Sequence, residues 1–153
     1  MLDRIQSFFK REIDGPASGG HDEKALQLAT AALLFEMLQA DYQAAAEEKT
    51  VLEKAIRDVF SLSDSETREL MTLAEQEVRE AVSLHPFTAR INQSFSAPEK
   101  VRLVEMLWQV AFADGHLHSY EEGLVRKVAD LLYVPHRDFI RARHRVEGRL
   151  KAQ

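Results

Sequence analysis

Three Ser-x-x-Glu tetrads, at Ser63–Glu66, Ser96–Glu99 and Ser119–Glu122, each stand directly before an apolar run of helical period. In such a box the serine hydroxyl accepts from the amide three residues on. The glutamate in turn accepts from the serine amide, so two otherwise orphaned donors are satisfied together. Each box predicts a helix start, giving helices over 63–84, 96–113 and 119–133. Asp22 can cap a helix over 23–41, whose apolar face is Leu26, Leu33, Leu34, Met37 and Leu38. A helix over 45–60 uses Val51, Leu52, Ile56, Val59 and Phe60. Pro86 and Pro135 stand where a missing amide costs little, opening helices over 86–95 and 135–150. Alternating, β-branched stretches are scarce. An all-α fold is expected, a single helical domain of about seven to eight helices.

One domain suits 153 residues, and a hydrophobic fraction of 45% is enough for a core. Cysteine is absent. Any metal must therefore be held by oxygen and imidazole ligands, and thiol chemistry is closed to the chain on its own. A net charge of −5 argues against a generally basic nucleic-acid binder.

The domain is expected over 23–150, behind a linker over 14–22 that holds three of the six glycines and Pro16. Ahead of it, residues 1–13 read as an amphipathic helix, with Leu2, Ile5, Phe8 and Phe9 on one side and Lys10 and Arg11 nearby. That helix can pack on its own domain or lie on a membrane surface. No run approaches the roughly 20 apolar residues that span a bilayer. A cytoplasmic protein is expected, with peripheral membrane contact through residues 2–13 as the alternative.

A shift of 73 residues, without gaps, lays one helix pair over another. Leu34-Phe35-Glu36-Met37 falls on Leu107-Trp108-Gln109-Val110, Ala40-Asp41 on Ala113-Asp114, Glu48 on Glu121 and Lys54 on Lys127. Val51, Leu52, Val59 and Phe60 fall on Leu124, Val125, Leu132 and Tyr133. Each copy has an apolar helix ending in Ala-Asp, a short connection, and a glutamate seven residues after the aspartate. Two pseudo-symmetric helix hairpins are expected, with 64–95 connecting them. A glutamate in a first helical turn suits the partial positive charge there. Asp41 and Asp114 end a helix, where the carbonyl end is already negative. Each needs a partner: a loop amide, a basic side chain or a cation.

The stretch Val104-Glu105-Met106-Leu107-Trp108-Gln109-Val110-Ala111-Phe112-Ala113-Asp114-Gly115-His116-Leu117-His118-Ser119-Tyr120-Glu121-Glu122 resembles the signature of TerB-like domains, named after a tellurite-resistance protein. The first copy, Ala32 to Glu36 through Ala40-Asp41 to Glu47-Glu48, resembles the family's first half. The likeness covers about 24–145. It implies an all-helical domain with internal pseudo-symmetry, metal binding at the acidic corners, and no established catalytic activity. The matching positions are Asp41 and Glu48, then Asp114, Gly115, Glu121 and Glu122. Tyr42 stands where glycine is usual in the first copy, and His116 and His118 where acidic or polar residues are common.

Asp114, His116, His118, Glu121 and Glu122 form the densest set of metal-ligating residues, and Asp41 and Glu48 are the candidates of the first copy. Carboxylates with imidazoles suit zinc, nickel or manganese, whereas oxygen ligands alone suit calcium or magnesium. The same residues also read as a helix–turn–helix corner, with Gly115 turning and Ser119 capping. The loop is not an EF-hand, because Ser119 and Val125 hold the positions that need glycine and glutamate. Glu36 and Glu105 lie in apolar helices and are expected to face solvent or pair. Phe35 and Trp108 are expected in the core.

The last helix carries Arg137, Arg141, Arg145 and Arg149 at four-residue spacing, nearly one face. Residues 135–153 hold six basic against two acidic side chains, a net of +4, so the remainder carries −9. Such a stripe can bind an acidic partner or pair with the domain's own carboxylates, and the segregation permits head-to-tail self-association. No phosphate-binding glycine loop, His-Glu-x-x-His or Gly-x-Ser-x-Gly is present. The sequence therefore points to a non-enzymatic interaction module in a stress or tellurite-resistance context, with a protein partner and a divalent ion of undetermined identity. The alternatives are a metal-dependent hydrolase using Asp114, His116, His118 and Glu121, and a membrane adaptor using residues 2–13.

Overall fold

The computed structural model describes residues 23–40, 45–80, 86–113, 115, 117 and 119–151. Within them lie seven helices: α1 Glu23–Ala40, α2 Ala46–Val59, α3 Asp64–Glu80, α4 Pro86–Ser94, α5 Ala97–Ala111, α6 Ser119–Leu131 and α7 His136–Lys151. The described residues contain no strand. The expected first helix, 1–13, and the linker 14–22 lie outside the described residues.

Two of the three capping boxes close as expected. Glu66 N–H donates to Ser63 Oγ (3.0 Å) and Ser63 N–H to Glu66 Oε1 (2.9 Å). Ser96 and Glu99 do the same at the start of α5, with Pro98 in its first turn. The third box does not form. Ser119 is already the first residue of α6, and the Glu122 carboxylate turns instead to Arg126 (3.5 Å) and Arg143 (3.8 Å). Charge-assisted pairing has taken the side chain that the box needed.

Helices α1 and α5 form the centre. Every residue from Leu28 to Leu38 is buried, as is every residue from Leu103 to Trp108. Runs of that length wrap all the way round a helix, so both must be covered on all sides. The cover is α2, α3, α4 and α5 around α1, and α1, α2, α6 and α7 around α5. Phe35 and Trp108 are core residues, and the Trp108 indole N–H donates to the Phe139 carbonyl (3.3 Å). Asn92 on α4 donates to the Leu131 carbonyl (3.0 Å), satisfying a free acceptor at the end of α6.

The duplication is larger than two hairpins, and its register changes along the chain. Helices α2 and α6 end alike. Ser61 and Tyr133 both take left-handed backbone, at φ 52° and 58°. Leu62 N–H then donates to Arg57 O, and Val134 N–H to Ala129 O, each at 3.0 Å. These pairs are 72 residues apart, not 73. Buried Leu52, Ile56, Phe60 and Leu62 correspond at that spacing to buried Leu124, Val128, Leu132 and Val134. The ungapped shift placed Phe60 on Tyr133, yet Phe60 is buried and Tyr133 is 79% exposed. The 72-residue register continues into α3 and α7, where Thr67, Leu70 and Ala74 match Phe139, Ala142 and Val146, all buried. Each unit therefore has three helices, α1–α3 and α5–α7. Segment 64–80 belongs to the first unit, and only α4 remains as a described connector.

One carboxylate ties the second unit together. Glu105 on α5 is 10% exposed at its side chain and meets Arg145 Nε (2.8 Å), Arg102 (3.2 Å) and Arg149 (3.4 Å). Arg102 also pairs with Glu23 on α1. A buried carboxylate without partners would be costly, and three guanidiniums offset that cost. Glu36 on α1 is likewise buried, at 1% exposure, rather than facing solvent.

Glu105→Ala is expected to lower stability by about 1–2 kcal/mol, less than for a fully buried pair because the arginines can rehydrate. Arg137→Ala, at an exposed site of the same helix, should stay within about 0.5 kcal/mol. Urea unfolding measures both; equal losses would show that the Glu105 cluster contributes nothing.

Glu66 gives a pH dependence. The Ser63 amide chiefly, then Lys24 at 3.2 Å, holds its pKa below the ordinary 4.5 against the opposing effect of burial. The folded state thus favours the carboxylate. Its contribution is present above pH 4.5 and is lost as pH falls through the lowered value. Glu66→Gln should flatten the acid limb of a plot of unfolding midpoint against pH; an unchanged limb would contradict this.

Candidate acidic cleft and trough

The starts of α2 and α6 face a common cleft of about 360 Å³. Glu47 and Glu48 line it from the first turn of α2, and Ser119, Tyr120 and Glu121 from the first turn of α6. Val51 and Leu52 supply an apolar wall. Carboxylates in a first turn are favoured by the helix dipole, so local electrostatics places these acids here at little cost.

The cleft opens into a trough along α2. An adjoining hollow of about 280 Å³ shares Val51 and Glu121 with it and adds Ala55, Asp58, Val110 and Ala113. A third, of about 370 Å³, shares Ala55, Asp58 and Ala113 and ends at Arg149 and Leu150. The trough exists because α2 buries a single line, Leu52 and Ile56, against α1 and α5. Val51 is one residue, or about 100°, round from that line. The sequence counts it among the apolar residues of this helix, yet it is 54% exposed.

At the second corner, Gly115 N–H donates to Phe112 O (2.9 Å), and Gly115 has φ +84°. That left-handed conformation favours glycine, which accounts for Ala-Asp-Gly at this turn.

The candidate metal ligands divide as follows. Glu48 and Glu121 line the shared cleft. At the 72-residue spacing they are not strict counterparts: Glu48 corresponds to Tyr120, and Glu121 to Lys49. Glu122 is turned toward Arg126 and Arg143. Asp41, Asp114, His116 and His118 lie outside the described residues. Among the described residues no group of three or more acidic or histidine side chains is arranged to hold a metal ion.

The arginine stripe is split in the same way. Arg145 and Arg149 are engaged by Glu105, while Arg137 and Arg141 are exposed. The fifth arginine of α7, Arg143, lies over Trp108 (5.4 Å) and Phe112 (5.9 Å) and pairs with Glu147 (3.0 Å). Sequence spacing did not single it out, because it falls off the four-residue stripe. No described helix is long and apolar enough to cross a membrane.

No curated protein and no solved structure matches the chain. The sequence profile of the family described as "Tellurite resistance protein TerB" does match, over residues 27–144. That span takes in α1 through most of α7 and both acidic helix starts. The chain therefore belongs to the TerB family.

Proposed function

We propose that this TerB-family domain is a non-catalytic binding module in a tellurite-resistance or stress context, and that the cleft between α2 and α6 is its binding face. One observation carries the reading. Glu47, Glu48 and Glu121, from the two halves of the duplicated chain, line a single cleft with an apolar wall. Acids gathered on one concave surface favour an occupant that is positively charged and partly apolar.

The donor set fits a hard divalent cation. Glu48 and Glu121 would supply carboxylate oxygens to it from opposite halves. Such an ion would lower the repulsion among the carboxylates and join the two units. The residues themselves do the rest: Val51 and Leu52 give one wall an apolar surface, and Tyr120 contributes a ring beside the acids. A protein partner with a basic, amphipathic surface would use the same acids and continue along the trough.

The test is a calorimetric titration of the full chain with calcium, then manganese and zinc, repeated on Glu48→Gln/Glu121→Gln. Binding is expected to raise stability by about 2.7 kcal/mol when the ion is at 100 times Kd. The double variant should lose most of that gain while keeping its helical circular dichroism. Identical heats and midpoints for the two proteins would remove the cleft from the function.

A further inference from the structure

We propose that a second copy of this chain occupies the cleft between α2 and α6, docking through Tyr133 and the arginines at the start of α7. This rests on the reading of the cleft as a binding face, and it names the occupant. The first argument is apolar surface. Among the described residues the exposed large hydrophobics are Val51, Tyr133 and Leu150. Val51 lines the cleft. Tyr133 is 79% exposed at a left-handed position, φ 58°. A bulky residue is disfavoured in that conformation, and the core gains nothing from a ring held in solvent. Tyrosine and arginine are among the side chains that anchor protein interfaces.

Charge is the second argument. Arg137 follows Tyr133 by four residues, and Arg141 and His144 continue one exposed face of α7. Arg145 and Arg149, by contrast, are engaged by Glu105. The acids nearest in sequence to the exposed pair are Asp130 and Asp138. Among the described residues the cleft lining holds Glu47, Glu48 and Glu121 and no base. A ring beside two arginines complements an apolar wall beside three carboxylates.

The third argument is position. The cleft stands at the start of α6, and Tyr133 two residues past its end. The 13 residues of α6 separate the two by about 20 Å, too far for one copy to fill its own cleft. Filling the cleft with this patch therefore takes two copies. The first unit does not repeat the patch. At the 72-residue spacing Tyr133, Arg137 and Arg141 correspond to Ser61, Ser65 and Glu69. Each copy thus carries one cleft and one patch of ring and arginines, at different places. Such a contact is heterologous, so assembly proceeds head to tail rather than stopping at a symmetric pair.

Sedimentation equilibrium of the full chain is expected to show a mass that rises with concentration, less steeply at high salt. Tyr133→Ser/Arg137→Ser, which copies the first unit at these positions, should weaken the association by about tenfold or more, as should Glu48→Lys/Glu121→Lys. Both proteins should keep their helical circular dichroism. If the lysine variant loses helicity, Val51→Glu disables the same cleft from an exposed site. Mixing the two disabled proteins is the decisive arm. One supplies an intact cleft and the other an intact patch, so the mixture should form one-to-one pairs that do not lengthen. A mixture that stays monomeric, or association that survives either double substitution, would overturn the proposal. So would a single-chain mass at every concentration; heat on calcium titration of that monomer would then leave the cleft to another occupant. Assembly that needs both surfaces, with no heat on calcium titration, would keep the second copy and defeat the cation site.

Discussion

Two helices that are buried on every side leave the rest of the chain little freedom. From Leu28 to Leu38 helix α1 has no solvent-facing position, and the same holds for α5 from Leu103 to Trp108. Covering both takes one face from each remaining described helix. A polar group that falls within them must find its partners inside the protein. Glu105 does so through three arginines, two of them from α7. The basic stripe of the last helix is therefore partly an internal counter-charge. Its position follows from where α5 carries its acid, and only its outer half, Arg137 and Arg141, is left to solvent.

The same constraint fixes where a ligand can bind. Since α1 and α5 are enclosed, an accessible hollow must form at the edges of their cover. Helix α2 buries one narrow line, Leu52 and Ile56, whereas α6 buries Leu124, Val125, Val128 and Ala129. The flank of α2, from exposed Val51 through half-buried Ala55 to half-buried Val59, becomes the trough wall. Acids reach this wall for an unrelated reason, since first turns of helices favour them. Packing makes the concavity and the helix dipole supplies its charge.

Most of the fold was legible because its signals are local. Capping boxes, prolines and apolar period fix helix ends through contacts within four residues. The register of the repeat was not legible, because it depends on which of two adjacent apolar residues faces the core. Val51–Leu52 against Leu124–Val125 reads equally well at either shift. The left-handed turns at Ser61 and Tyr133, with the burial of Phe60 and exposure of Tyr133, decide it, and serine and tyrosine give no glycine-like signal there. The Ser119 box failed for a similar reason: Arg143 is 21 residues away from Glu122 in sequence, and no local pattern announces their pairing. At the candidate site, first-turn position was readable from sequence. That Glu47 and Glu48 share a cleft with Glu121 was not, since it requires knowing how the two units face each other.

The one-residue slip matters for what the cleft can hold. In strict symmetry Glu48 and Glu121 would be equivalent, and the chain would carry one site twice. The core register instead pairs Glu48 with Tyr120 and sets Glu121 a position further along, about 100° round its helix. The two walls of the cleft therefore differ. One presents paired acids, and the other presents a serine, an aromatic ring and one acid. A cleft with unlike walls suits a single asymmetric occupant, read in one orientation, better than two equal ligands. Duplication supplied two similar helix starts, and the slip in register makes them the unlike walls of one cleft.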